Sequence, residues 1–226
     1  MTKRSYHPTD GRTGNGAASD AIRERRAAIE DLGAALRTLL QVSASTEAGA
    51  DEIRLAAAEL RRVTGPLAAS VRTRAQQPSA DDLLGGIRMY NPVSGTGSGL
   101  APPVDAEVVD GVVVGTCTLG LAYEGPPTYA HGGVSALLLD HMLGYATTAS
   151  GHPGMTVELT TRYRAPVPLQ TPLRLTGRVT EVLTRKVIAH GTIATAADPD
   201  TVLVEATGTF VAIRPEKVRA LWGSGP

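Results

Sequence analysis

The sequence predicts an α+β fold, an antiparallel sheet of about six strands wrapped around one long central helix and preceded by an N-terminal helical extension. Three observations carry that expectation. The apolar period is helical in the first third of the chain and alternating beyond residue 103. Two strand-like runs precede, and four follow, a single long apolar segment, YAHGGVSALLLDHMLGYA, from Tyr129 to Ala146. That segment is hydrophobic around most of its circumference and needs cover on several sides, which a curled sheet supplies.

Taken in order, residues 1–18 are rich in Gly, Thr and charge and are expected to form a disordered tail. Residues 19–75 are expected to be helical. From Ser19 to about Leu40, Ile22, Ile29, Leu32, Leu36, Leu39 and Leu40 recur at helical spacing with Arg and Glu between them. A second helix is expected after Asp51, a suitable N-cap, with Ile53, Ala57 and Leu60 on one face until Gly65-Pro66 interrupts it. The two helices are suited to pair as a hairpin. Residues 76–103 carry the Gly, Pro and Ser of a long irregular connection, whose stretch from Met89 to Pro103 is placed to line or cover a binding opening. The α+β domain is expected over 104–226. In it VDAEVVDGVVVGTCTLG forms two strands joined at Asp110-Gly111, a strong hairpin-turn dipeptide. After the apolar helix, TVELTTRYRA, LRLTGRVTEV, KVIAHGTIAT and VLVEATGTFVAI form four more strands between Pro-rich and Asp-Pro-Asp turns.

Charge narrows the partners. Lys plus Arg (22) equals Asp plus Glu (22), so no net field draws the chain toward nucleic acid or an anionic membrane, and an anionic ligand has to be met by local basic residues. Cys117 is the only cysteine, and the five histidines make no zinc pattern with it, so neither disulfide nor metal is expected. A basic and then polar N-terminus without an apolar core shows no secretory signal or anchor, and the cytoplasm is the expected compartment.

The chemistry concentrates in the apolar helix. Asp140 sits among Ala136, Leu137, Leu143 and Gly144, none of which can neutralise it, and a sheltered carboxylate needs a reason to be there. His131-Gly132-Gly133 opens the same helix. Glycines there let the backbone approach a ligand closely, the first N–H groups have no internal partners, and the helix dipole favours negative charge. Other residues read more blandly. Ser135 lies in GVSAL, which lacks the last glycine of a nucleophile elbow and has no strand immediately before it. His141 points about a quarter-turn from Asp140 and suits packing or an interface, His190 suits the sheet surface, and Cys117 is a small core residue.

GPPTYAHGGVSALLLDHMLG followed by GMTVELTTRYRAPVPL closely resembles the hotdog-fold thioesterases of the phenylacetate-pathway (PaaI-like) type, within the 4-hydroxybenzoyl-CoA thioesterase superfamily. These carry His-Gly-Gly at the start of the central helix, an Asp nine residues after that His, and a Thr or Ser near the start of the next strand. The matching positions are His131, Gly132 and Gly133, then Asp140, then Thr156. The resemblance covers roughly residues 104–213. Some relatives place an Asn several residues before the His-Gly-Gly, where this chain has Glu124-Gly125-Pro126-Pro127.

The resemblance implies hydrolysis of an acyl-CoA thioester without a cofactor. Gly132 and Gly133 would stabilise the oxyanion, with His131 orienting the turn or polarising the carbonyl. Asp140 would act as general base or as nucleophile, and Thr156 would hydrogen-bond the attacking water or Asp140. It also implies a homodimer with antiparallel central helices, each site taking its glycine amides from one subunit and its aspartate from the other, and further pairing into tetramers or larger assemblies. Arg162, Arg164, Arg185 and Lys186 are candidates for the coenzyme A phosphates, against the reading that alternating arginines mark a solvated sheet face. Two alternatives stand beside hydrolysis: a non-catalytic acyl-CoA sensor or partner-docking protein, and a hydratase of enoyl or hydroxyacyl thioesters.

Overall fold

The computed structural model describes residues 16–82 and 86–212, with side chains from residue 19. Most of the expected tail and the end of the chain beyond residue 212 lie outside the described residues. Helix α1 spans Gly16–Ser43 and α2 spans Ala50–Ala68. Strands β1 (Asp105–Val109) and β2 (Val112–Thr118) precede helix α3 (Gly132–Ala149), and β3 (Gly154–Tyr163), β4 (Pro172–Val182), β5 (Lys186–Thr195) and β6 (Val204–Ala212) follow it. All six strands join one antiparallel sheet in the order β1-β2-β4-β5-β6-β3. The sheet curls around α3 in the hotdog arrangement.

The β1–β2 turn follows from its residues. Asp110 and Gly111 both adopt positive φ (51° and 80°), as a two-residue turn matching the twist of the strands demands. Alternation then places Leu173, Leu175, Ala189, Ile193, Val204, Ala206 and Phe210 on the inner face against Leu138, Leu139, Met142 and Leu143 of α3. Close approach needs a bare backbone at one point: a Cβ on Gly177 would lie 2.7 Å from the Met142 carbonyl oxygen.

The helical extension departs from expectation in four respects. First, α1 begins at Gly16, three residues before Ser19, and docks by a stripe through Arg26, Ile29, Gly33 and Arg37, while Leu32, Leu36 and Leu40 stay exposed. The reason is the partner surface, which presents backbone carbonyls. Arg26 Nε donates to Ala80 O (2.8 Å), and Arg37 Nη1 donates to Thr96 O (2.6 Å) and Ser98 O (2.9 Å). Second, the N-cap of α2 is Gly49, with Asp51 inside the first turn, and Glu52 Oε2 accepts the Gly49 N–H at 2.7 Å. Third, Gly65-Pro66 does not stop α2, which continues to Ala68. Gly65 has no Cβ to clash with the proline ring, and Pro66 costs one helical hydrogen bond in the last turn, close to where the helix ends anyway. Fourth, no hairpin forms, since α2 buries no residue and does not pack along α1.

Candidate active site

The loop before α3 is tied down from several sides. Gly125 N–H donates to Tyr129 O, Ala130 N–H to Val167 O and His131 N–H to Tyr123 O, each at 2.9 Å. Gly125 backs directly onto His131, where a Cβ would come within 2.7 Å of the His131 Cα. Thr128 sits at φ 72°, unfavourable for a β-branched residue, and its N–H donates to Glu124 Oε1 at 2.8 Å. Glu124 therefore holds the strained residue in place.

His131 caps α3. Its Nδ1 accepts the Gly133 N–H at 3.0 Å, which in the neutral imidazole puts the ring proton on Nε2. The Gly133 amide is thus engaged within the turn, whereas the Gly132 N–H has no hydrogen-bond partner among the described residues. Tyr163, which the sequence reading left out, completes the turn. Its Oη donates to Gly132 O at 2.9 Å, and its ring leaves only 3.4 Å to a Cβ built on Gly132.

Thr156 Oγ1 donates to Asp140 Oδ1 at 2.9 Å, so the strand after α3 supplies the polar partner that the helix lacks. Asp140 is half-buried. Thr156 and Tyr163 lie seven residues apart, and strict alternation would point them to opposite faces. A bulge between Thr156 and Glu158 shifts the register, so that Thr156 pairs with Phe210 and Tyr163 with Val204, both on the inner face. The two thus meet the same helix. Along α3, however, Gly132 and Asp140 are eight residues apart, about 12 Å at the helical rise. Within one copy the free amide and the carboxylate cannot serve the same carbonyl.

The four basic candidates do not form one patch. Arg162 and Arg164 project near the start of β6, where Glu205 Oε1 lies 2.8 Å from Arg164 Nη2 and 3.8 Å from Arg162 Nε. The Arg164 hydrogen bond holds the Glu205 carboxyl below the usual carboxylate range. Arg185 and Lys186 sit at the other end of the sheet, where Lys186 pairs with Val211, six residues or about 20 Å along β6 from Glu205. Arg162 of β3 belongs to the face turned away from α3, and Arg164, just past the strand's end, reaches the same Glu205.

The blander readings hold. Ser135 is buried, His190 Nε2 lies 4.0 Å from Glu205 Oε2 on the outer face, and burial pushes the Cys117 thiol up to about 12. Burial also lowers the His141 pKa, with the Asp140 carboxylate opposing the shift in part. A cleft of about 660 Å³ lies between the end of α1 and residues 99–103, with Tyr123 and Gln170 on its walls. Among the described residues, no group of three or more His, Cys, Asp or Glu is placed to hold a metal ion, and no helix is long and apolar enough to cross a membrane.

A curled sheet around one helix, with a glycine turn at the helix start and a polar-partnered aspartate along it, defines the class to which the comparisons also point. The family model described as the thioesterase superfamily matches residues 128–199. A thioesterase superfamily protein of known crystal structure is 40% identical and superposes with a TM-score of 0.73, over 81% of this chain and 90% of that one. The chain belongs to the thioesterase superfamily. Acyl-coenzyme A thioesterase THEM4 of Mus musculus is 32% identical over 98 residues, 43% of this chain and 42% of the mouse protein. Its Xenopus laevis counterpart is 32% identical over 92 residues, 41% of each. The chain thus spans less than half the length of these curated relatives.

Proposed function

We propose that the protein hydrolyses an acyl-CoA thioester to free acid and coenzyme A at sites shared between two copies of the chain. The observation that carries this reading is the separation of about 12 Å between the free Gly132 amide and the Asp140–Thr156 pair. A second copy, its α3 antiparallel to the first, brings one copy's amide opposite the other's carboxylate. The edge strand supports the same pairing. Among the described residues β3 is an edge strand with one side unpaired, and Met155 (52%) and Val157 (60%) are exposed near its start, an edge that an isolated chain would leave open to association. The acyl-coenzyme A thioesterase relatives support the substrate class.

In this reading the thioester carbonyl oxygen lies at the N-terminus of α3, receiving the Gly132 N–H and the His131 Nε2 proton. Asp140 of the other copy takes a proton from water, whose oxygen bonds to the carbonyl carbon. Thr156 holds Oδ1, leaving Oδ2 for that proton. The tetrahedral oxyanion, stabilised by the turn and the helix dipole, collapses with cleavage of the C–S bond. The thiolate leaves and takes up a proton.

Thiol release from a panel of acyl-CoAs tests the proposal. Asp140→Asn should lower turnover by about 100-fold or more while acyl-CoA still binds. Tight binding by the wild type without thiol release would favour the sensor reading, and water addition to an enoyl-CoA would favour the hydratase.

A further inference from the structure

A second cleft, of about 710 Å³, opens where α1 meets the irregular chain after α2. Its walls include Arg25 from α1, Arg72 and Arg74 from the later segment, and Thr73, Ile29 and Tyr90. None of the three guanidiniums forms an ion pair among the described residues. Arg72 Nη1 donates to Gln76 O at 2.8 Å, which fixes its place without neutralising it. Three like charges around one concavity repel one another, and an anion seated among them reverses that interaction.

The lining selects the anion. Guanidinium forks match phosphate oxygens two at a time, and three of them spread over one cleft suit a di- or polyphosphate. The Thr73 hydroxyl adds a donor. Tyr90, 45% exposed, offers an aromatic face to a planar base, with Ile29 as an apolar neighbour. The volume falls within the ~300–1,000 Å³ of small-molecule sites. We propose that this cleft binds a nucleotide, its phosphates held by Arg25, Arg72 and Arg74 and its base against Tyr90. The site stands apart from the residues of the proposed chemistry, since none of its lining belongs to the turn or to the Asp140–Thr156 pair. The same chemistry is carried by a free nucleotide and by the nucleotide half of coenzyme A.

Fluorescence anisotropy of an N-methylanthraniloyl-ADP probe on the full chain provides the test. Saturable binding is expected, weakening as salt rises, and about tenfold or more weaker in Arg72→Gln/Arg74→Gln and, separately, in Arg25→Gln. Displacement of the probe by coenzyme A but not by pantetheine assigns the site to the coenzyme's nucleotide. Displacement by ADP but not by coenzyme A assigns it to a free nucleotide, and either outcome upholds the site. No saturable binding to the wild type, or undiminished affinity in variants that melt like the wild type, overturns it. Asp140→Asn should bind the probe as the wild type does, which separates failure of this site from failure of the hydrolytic reading.

Discussion

The Gly132–Gly133 peptide is gripped on both sides, its carbonyl by Tyr163 Oη and its N–H by His131 Nδ1. With that plane pinned, the preceding amide, Gly132 N–H, is held in one direction, and in the proposed reaction it would meet the thioester carbonyl without reorganising. Tyr163→Phe keeps the ring against Gly132 and removes one hydrogen bond of ~0.5–1.5 kcal/mol. If Gly132 N–H serves the oxyanion as proposed, the expected result in steady-state acyl-CoA hydrolysis is a fall in kcat of about two- to tenfold with KM nearly constant. A comparable rise in KM alone would mean that Tyr163 serves ground-state binding instead. Beside Asp140, His141 governs a different property. Burial lowers its pKa below that of the unfolded chain, so the unfolded chain binds the proton more readily. Its contribution to stability is complete above the unfolded value of about 6.5 and declines as pH falls through that value toward the lower folded one. Thermal unfolding between about pH 7.5 and 5.5 should show a shallower acid decline for His141→Gln than for the wild type.

At the scale of elements, α1 is held by its polar and small residues. Ordinarily Gly→Ala inside a helix stabilises by up to ~1 kcal/mol. At Gly33 the sign reverses, because a Cβ would lie 2.3 Å from Thr96 O and 2.7 Å from the Gly97 Cα, both backbone atoms. Gly33→Ala should therefore destabilise by ~1–3 kcal/mol, read as a lowered melting temperature. A raised one would show that α1 does not hold this contact in solution. The apolar periodicity marks α1 as a helix but does not mark its docking face, since Leu32, Leu36 and Leu40 repeat as regularly as Ile22 and Ile29 and remain exposed. The reverse holds for α3, whose apolar circumference, central Asp140 and glycine entry were all legible. Its N-terminal turn was legible in part: Gly132 and Gly133 look alike as sequence, yet a nearby imidazole engages only one of their amides.

For the whole molecule, the proposed sharing of sites between two copies predicts complementation. An Asp140→Asn chain retains its glycine turn, and a His131→Ala chain retains its carboxylate. In a mixed dimer one of the two sites has both halves intact and the other has neither. After equal mixing and random reassociation, half the dimers are mixed and each has one working site, so about one quarter of wild-type activity should return. A site formed within one chain would return none. Size-exclusion chromatography of the same mixture shows whether subunits exchange at all.

The order of amino acids by itself determined the alternation of elements, the Asp110-Gly111 turn, the apolar central helix and the family, because these rest on local periodicity and on residues close together in the chain. It also placed Asp140, Thr156 and the glycine turn on neighbouring elements. Tertiary structure alone decided that Tyr163 shares a face with Thr156, since one bulged residue reverses the parity of everything after it. It alone separated Arg162 and Arg164 from Arg185 and Lys186, because the strand register carries the two pairs to opposite ends of the sheet. It alone gathered Arg25 with Arg72 and Arg74 around one cleft. Charge and side-chain type are properties of a residue, but convergence is a property of the packed chain, where direction and distance are set by partners remote in sequence.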